Sequence, residues 1–134
     1  MKLLNAHIVS RGRAQGEALV SLKPISFLGS VDPKTGIVTE KGHDLEGISI
    51  KGKVLVFPGG KGSTVGSYVI YQLKKNGVSP CAMINTRSEP IVAIGAIISN
   101  IPLVDRIEKD PLTVIKTGDK VLVDAIVGSI EIYD

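Results

Sequence analysis

The part of this sequence best suited to chemistry is the glycine-rich run at residues 58–63, which interrupts an apolar segment and leads into a predicted helix. Glycines let backbone N–H groups approach a ligand closely. The N-terminus of a helix adds unpaired donors and the positive end of its dipole. Together they form a site for an anion or an oxyanion. Ser63 is then a candidate nucleophile, base or hydrogen-bond donor. The simpler alternative is a helix cap after a tight turn.

The loop does not match the common nucleotide-binding patterns. A P-loop ends in Gly-Lys-Ser/Thr, whereas the order after Gly60 is Lys-Gly-Ser-Thr. The spacing Gly-x-Gly-x-x-Gly of a dinucleotide site is also missing. Arg87 follows a second apolar segment and should lie at the same edge of a parallel sheet as the loop, where ligands of such sheets bind. It is a candidate clamp for a carboxylate or phosphate, or else an exposed loop residue.

The histidines and the cysteine do not suggest a metal site in this chain. His7 falls in a predicted strand, as expected of a structural histidine, and His43 falls in a polar turn where it should be solvated. Cys81 is the only cysteine. It lies in an apolar run and is expected to be buried and unreactive. No His, Cys and carboxylate residues have metal-ligand spacing, and one thiol cannot hold an iron–sulfur cluster.

The elements around the loop predict a layered α/β domain. Residues 53–57 are almost continuously apolar, which is typical of a strand buried on both faces. Residues 63–76 have helical spacing, with Ser63 as N-cap and Gly77 at the C′ position. A strand at 81–85 completes a strand–loop–helix–strand crossover, which should be right-handed. A short helix is predicted after Pro90, and further strands are predicted at 3–9, 16–20, 101–104, 113–115, 120–123 and 129–132. Strands at both ends with a helical centre favour a β/β/α arrangement over a doubly wound sheet.

Composition narrows the class of protein. The 134 residues suit one domain. The net charge of +3 comes from scattered basic residues, and aromatics are only 4%, which argues against nucleic-acid binding. A lone cysteine favours a reducing, cytoplasmic location. The N-terminus lacks a signal-peptide pattern, and no apolar run is long enough to span a membrane. The apolar fraction of 43% indicates either an aliphatic core or a large buried partner surface.

Four segments that occur in order resemble a known family. They are residues 27–33 (FLGSVDP), 56–67 (VFPGGKGSTVGS), 95–98 with 101–105 (GAII and IPLVD), and 116–119 (KTGD). Over nearly its whole length the chain is similar to the small subunits of archaeal phosphomevalonate dehydratases, the aconitase X swivel domains. The resemblance implies one swivelling β/β/α domain over residues 1–134. It also implies a separate large subunit that holds an iron–sulfur cluster and forms a heterodimer with this chain.

The resemblance implies a reaction as well. It is the dehydration of (R)-5-phosphomevalonate to trans-anhydromevalonate 5-phosphate, within a modified mevalonate route to isoprenoids. Ser63 matches the serine that acts as the base, and the expected substrate contacts are Gly60, Lys61, Gly62, Thr64 and Arg87. Two alternatives stay open. One is an aconitase X hydro-lyase subunit that acts on another hydroxy acid. The other is a non-catalytic module with a phosphate-binding or regulatory role.

Overall fold

A computed structural model describes residues 1–133, which form eight strands and four helices. The strands, in chain order, are β1 Lys2–Asn5, β2 His7–Ser10, β3 Arg13–Val20, β4 Val54–Phe57, β5 Ala82–Asn85, β6 Leu103–Asp105, β7 Lys120–Asp124 and β8 Ser129–Tyr133. The helices are α1 Phe27–Ser30, α2 Gly66–Lys75, α3 Pro90–Ser99 and α4 Pro111–Val114. None of the helices in residues 1–133 has the length and apolar character needed to cross a membrane.

The strands make two sheets that share β3. Their order is β1-β8-β7-β3-β4-β5-β6-β2. From β3 to β6 the strands run parallel, whereas β1, β8 and β7 join antiparallel to one end and β2 to the other. Residues Arg13 to Glu17 of β3 pair with β7, and Ala18 to Val20 pair with β4. Gly16 lies near this crossing, where an added Cβ would be 3.0 Å from Cys81 Sγ.

The central strand β4 separates two apolar cores. Leu55 and Phe57 pack with the helices on one face, and Val54 and Val56 pack with the antiparallel strands on the other. Side chains alternate along a strand, so a strand buried on both faces must be apolar at every position. The three layers are therefore antiparallel sheet, parallel sheet and helices. The predicted β/β/α arrangement is confirmed.

Because the crossover through α2 makes β4 and β5 parallel, the carboxyl ends of the two strands lie at the same edge of the sheet. The two strands pair in parallel from Val54 opposite Ala82 to Phe57 opposite Asn85. Helix α2 ends as predicted, because Gly77 has a φ of 72° and the Val78 N–H donates to the Leu73 carbonyl at 3.0 Å. The loops after β4, β5 and β6 all leave from one edge, which is where a ligand of a parallel sheet binds.

Several predicted boundaries were wrong. Helix α2 begins at Gly66 rather than Ser63, because residues 60–65 belong to the loop. The predicted strand 3–9 is two strands that pair with opposite ends of the sheet. Residues 113–115 were predicted as a strand, but Asp110 accepts the Leu112 N–H and Pro111 begins the short helix α4.

Candidate active site at the glycine-rich loop

The glycine-rich loop, residues 58–65, continues from the carboxyl end of β4. The Ile25 N–H donates to the Gly59 carbonyl at 3.1 Å, and the Lys61 N–H donates to the Ile25 carbonyl at 3.1 Å. These two bonds prolong the parallel pairing beyond the ends of β3 and β4. The first half of the loop is thereby held in place, so the residues that follow Lys61 extend from a fixed point.

Two of the loop glycines are required by their surroundings. A Cβ on Gly60 would lie 2.5 Å from both Glu89 Oε1 and Val92 Cγ2, so only hydrogen fits there. Gly62 has a φ of 93°, in the left-handed region, and a Cβ there would lie 2.6 Å from Ser26 Oγ. Close packing and backbone conformation, rather than flexibility, explain the glycines. Ser26 is a hydroxyl beside the loop that the sequence did not single out.

Ser63 is exposed, and its hydroxyl oxygen accepts one hydrogen bond from the backbone. The Val65 N–H donates to Ser63 Oγ at 3.1 Å, and the Gly66 N–H donates to the Ser63 carbonyl at 2.9 Å. The predicted capping role is wrong, because the N-cap of α2 is Val65 and that position has no side-chain cap. Ser63 lies before the helix instead, with Oγ at its positive end. An oxyanion on Oγ would be stabilised by the Val65 N–H and by the helix dipole.

The same loop presents backbone donors that no acceptor uses. Within residues 1–133 the N–H groups of Gly62, Ser63 and Thr64 make no hydrogen bond. The side chain of Thr64 is exposed and has no partner among these residues either. Unused N–H groups beside a helix N-terminus favour an anionic ligand. The loop therefore combines a hydroxyl with the donors that a carboxylate or oxyanion needs.

Lys61 is not a free cation. Its Nζ lies 3.9 Å from Glu40 Oε2, and Ser30 Oγ donates to Glu40 Oε1 at 2.7 Å. The hydrogen bond from Ser30 is the main reason that the pKa of Glu40 is lowered, and the charge of Lys61 adds to the effect. Glu40 is therefore ionised at neutral pH. It holds the ammonium group of Lys61 beside the loop, and sequence analysis did not identify it.

Arg87 lies at the same edge as the loop. It follows β5 by two residues, its N–H donates to the Pro58 carbonyl at 3.3 Å, and its side chain is exposed. A Cβ on Gly59 would lie 3.0 Å from the Arg87 carbonyl oxygen, so the two loops are in contact. The six predicted site residues therefore lie on two adjoining loops.

A chain of polar side chains, also missed in the sequence, holds the β5 loop. Asn85 is fully buried and donates from Nδ2 to the Phe57 carbonyl at 3.2 Å, which joins the ends of β5 and β4. Ser88 donates from Oγ to Asn85 Oδ1 at 3.1 Å, and its N–H donates to Asp105 Oδ2 at 2.8 Å. Glu89 accepts the N–H groups of Ile91 and Val92 and so caps α3. The loop is rigid because every one of these polar groups has a partner.

Three other residues have different roles. Ser67 donates from Oγ to the Ile91 carbonyl at 2.7 Å, so it joins α2 to α3. His43 was predicted to be solvated, but its side chain is only 1% exposed. The Leu45 N–H donates to its Nδ1 at 3.1 Å, and Nε2 lies 3.2 Å from the Pro24 carbonyl oxygen, so both nitrogens are used. Partial burial raises the pKa of the Cys81 thiol, which makes it a poor ligand and nucleophile.

The described residues do not fit an iron–sulfur cluster. Across residues 1–133 no group of three or more His, Cys, Asp or Glu side chains could hold a metal ion. A cluster needs several thiolates, and this chain has one cysteine, whose thiol is kept protonated.

Fold and site together define a β/β/α domain of the swivel type, with a glycine-rich loop at the edge of its parallel sheet. The family model for the aconitase X swivel domain matches residues 3–132. The chain belongs to this family.

Its relatives and structural neighbours agree on the family. The phosphomevalonate dehydratase small subunit of Methanosarcina mazei is 68% identical over 92% of this chain and 86% of that one. The corresponding small subunit of Methanococcoides burtonii is 62% identical over 98% and 96%. The crystal structure of Thermococcus kodakaraensis aconitase X in its holo-form has a TM-score of 0.95, with 55% identity over the full length of both chains.

Proposed function

We propose that this chain is the small subunit of a phosphomevalonate dehydratase, an enzyme that removes water from (R)-5-phosphomevalonate. The observation that carries the proposal is its identity of 55–68% to relatives with that name, over spans of 91–100% of this chain that include the glycine-rich loop. The loop geometry supports a part in the chemistry rather than a purely structural part. A glycine turn that served only to begin a helix would not need an exposed hydroxyl surrounded by unused donors.

Ser63 is the base in this proposal. Oγ, which is exposed and loses its own proton to solvent, acts as an alkoxide and takes the proton from the carbon next to the substrate carboxylate. The electron pair of that C–H bond forms the new double bond, and the hydroxyl leaves from the neighbouring carbon. The Val65 N–H at 3.1 Å stabilises the negative charge on Oγ before the proton is taken. The unused N–H groups of Gly62 and Thr64 would hold the substrate carboxylate.

The departing hydroxyl needs a group that this chain does not supply. The residues described here contain no metal-ligand cluster, so the iron–sulfur cluster of the proposal belongs to a large subunit. The complete site would then form only where the two chains meet, with Ser63 on one side. A cytoplasmic heterodimer is part of the proposal, because the lone thiol of Cys81 excludes an internal disulfide.

An exposed apolar patch beside the loop is the proposed contact with the large subunit. Leu28, Val65 and Tyr68 have exposures of 44%, 49% and 58%. Val65 is the last residue of the loop, and the backbone N of Leu28 lies 3.9 Å from the Cβ position of Gly66. Large exposed apolar side chains that lie together mark an interaction surface. A partner seated on this patch would exclude water from Ser63, which strengthens the electrostatics of the site.

The test is reconstitution with the large subunit from the same genome. The two chains are co-expressed and purified without oxygen, and turnover of (R)-5-phosphomevalonate is followed by NMR. We expect dehydration to the trans product and none with mevalonate, which lacks the phosphate. Activity on a different hydroxy acid alone would favour another aconitase X hydro-lyase. A complex that binds phosphate and turns over no hydroxy acid would favour a regulatory module.

A further inference from the structure

Three neighbouring strand ends at the edge of the candidate site carry basic side chains. Arg87 follows β5, Arg106 follows β6, and His7 begins β2, which runs antiparallel to β6 with His7 directly opposite Asp105. Neighbouring strands lie about 4.8 Å apart, so these three positions span roughly 10 Å. The glycine-rich loop follows β4, which neighbours β5 in the sheet. The three positions therefore lie in a row along the same edge, and each is farther from Ser63 than the one before.

Arg106 is held in an unusual backbone conformation. Its φ is 48°, in the left-handed region that residues other than glycine seldom adopt. Its N–H donates to the Thr86 carbonyl at 3.1 Å, which joins the β6 loop to the loop that carries Arg87. Strain of this kind gathers at binding and active sites. The side chain is exposed and has no partner within residues 1–133.

A buried carboxylate orients the imidazole of His7. Asp105 Oδ1 lies 2.8 Å from His7 Nδ1, and the Asp105 side chain is 4% exposed whereas that of His7 is 56% exposed. A carboxylate partner holds a proton on Nδ1, and the other ring nitrogen, Nε2, has no hydrogen-bond partner within residues 1–133. His7 was predicted to be a structural histidine, and its hydrogen bond to Asp105 is compatible with that role. Because the side chain is more than half exposed, the ring is also accessible to a ligand at the site edge.

The acidic residues next to these positions in the sequence or the strand register accept hydrogen bonds from backbone N–H groups. The second oxygen of Asp105 accepts the Ser88 N–H at 2.8 Å. Both oxygens of Glu89 accept backbone N–H groups of α3, and Glu108 accepts the Asn5 N–H at 2.9 Å. Neither Arg87 nor Arg106 forms an ion pair within residues 1–133. The positive charge of the two arginines is therefore available to a ligand.

We infer that Arg87, Arg106 and His7 form a subsite for the phosphomonoester group of the substrate, with Asp105 as the positioning residue for His7. The inference rests on the proposed function and names Arg106 and His7 as phosphate contacts. A phosphomonoester has three terminal oxygens and close to two negative charges, which suit two guanidinium groups. His7 would complete the subsite with both ring nitrogens protonated, donating from Nδ1 to Asp105 and from Nε2 to a phosphate oxygen. In 5-phosphomevalonate the phosphate is separated from the reacting carbons by two carbons and an ester oxygen. A subsite that begins one strand away from the Ser63 loop matches that separation.

The test uses the reconstituted two-chain enzyme and inorganic phosphate as a probe. The variants are Arg106→Ala, Arg106→Lys and His7→Ala, and the control is Arg11→Ala, an exposed arginine that follows the far end of β2. For Arg106→Ala we expect about a ten- to hundredfold rise in KM and in the inhibition constant of phosphate, because a charged hydrogen bond is lost. The kcat should change by less than about threefold, since no proton is moved at this subsite. Arg106→Lys should keep part of the affinity, and Arg11→Ala should change nothing.

Asp105 is tested through His7. If Asp105 acts by orienting His7, Asp105→Asn should raise KM, and the double variant with His7→Ala should be no worse than His7→Ala alone. A merely structural carboxylate would give additive losses. The inference is overturned if Arg106→Ala and His7→Ala both leave KM and phosphate inhibition within about twofold of wild type.

Failure of the proposed function would look different. If the wild-type complex dehydrates nothing, phosphate binding is measured directly by calorimetry on the same complex and variants. Binding that Arg106→Ala abolishes and Arg11→Ala preserves would support the subsite without the reaction. Absence of phosphate binding to the wild-type complex, or binding that ignores both Arg106 and His7, would overturn the subsite.

Discussion

Gly60 is the residue at which the loop geometry predicts the sharpest effect of a single methyl group. In Gly60→Ala the new Cβ would lie 2.5 Å from Glu89 Oε1 and 2.5 Å from Val92 Cγ2. Real Cβ atoms do not come so close, so Glu89 must move away from the N–H groups of Ile91 and Val92. Losing that cap costs about 0.5–2 kcal/mol. Displacing the packed Val92 adds about 1–3 kcal/mol.

The expected loss for Gly60→Ala is therefore about 1.5–5 kcal/mol of unfolding free energy, or roughly 6–20 °C in Tm for a domain of this size. Thermal and urea denaturation of the purified chain measure it. Glu89→Ala is the matched control, because it removes the cap without the clash and should cost only about 0.5–2 kcal/mol. If Gly60→Ala is no less stable than Glu89→Ala, the close packing of Gly60 does not explain the glycine.

Three further predictions concern the partner, the interface and Glu40. The chain alone should fold but show no dehydratase activity, even when iron and sulfide are supplied without oxygen; turnover by the single chain would contradict the two-chain proposal. Tyr68→Asp should weaken co-elution with the large subunit in size-exclusion chromatography. The Tm of the isolated chain should be nearly unchanged, because Tyr68 is 58% exposed. Co-elution equal to that of the wild type would exclude the patch as the contact with the large subunit. The pKa of Glu40 is lowered from 4.5, so its contribution to stability is complete above that pH and is lost as pH falls through the lower folded-state pKa. Glu40→Gln should therefore flatten the stability–pH curve below about pH 4.5, and an unchanged curve would contradict this effect.

The sequence predicted the parts of the fold whose patterns are local. The apolar run before the loop, the helical spacing after it and Gly77 at the helix end each depend on neighbouring residues, and the crossover follows from them. The start of α2 was missed because Ser63 has the residue type of a cap. Its place before the helix depends instead on the hydrogen bonds that Gly59 and Lys61 make with Ile25, a residue distant in sequence.

Long-range contacts also explain what sequence analysis missed in the site. Glu40 meets Lys61 through a segment 21 residues away, and His7 meets Asp105 across 98 residues. Neither pairing follows from a spacing rule. His43 was misjudged for the same reason, because its polar sequence neighbours gave no sign that Pro24 would cover it. Ser63 and Arg87 could be selected because each follows a recognisable strand, and strand ends share an edge in a parallel sheet.

The most direct test of the central claim is the turnover of Ser63→Ala in the reconstituted two-chain enzyme. If Ser63 is the base, kcat should fall by about a hundredfold or more, while KM changes little because the N–H donors of the loop remain. The Tm should barely change, since Ser63 is exposed and does not cap α2. Thr64→Ala, which removes the neighbouring exposed hydroxyl, is the matched control and should retain most of the activity. A Ser63→Ala enzyme that dehydrates (R)-5-phosphomevalonate at near the wild-type rate would contradict the assignment of Ser63 as the base.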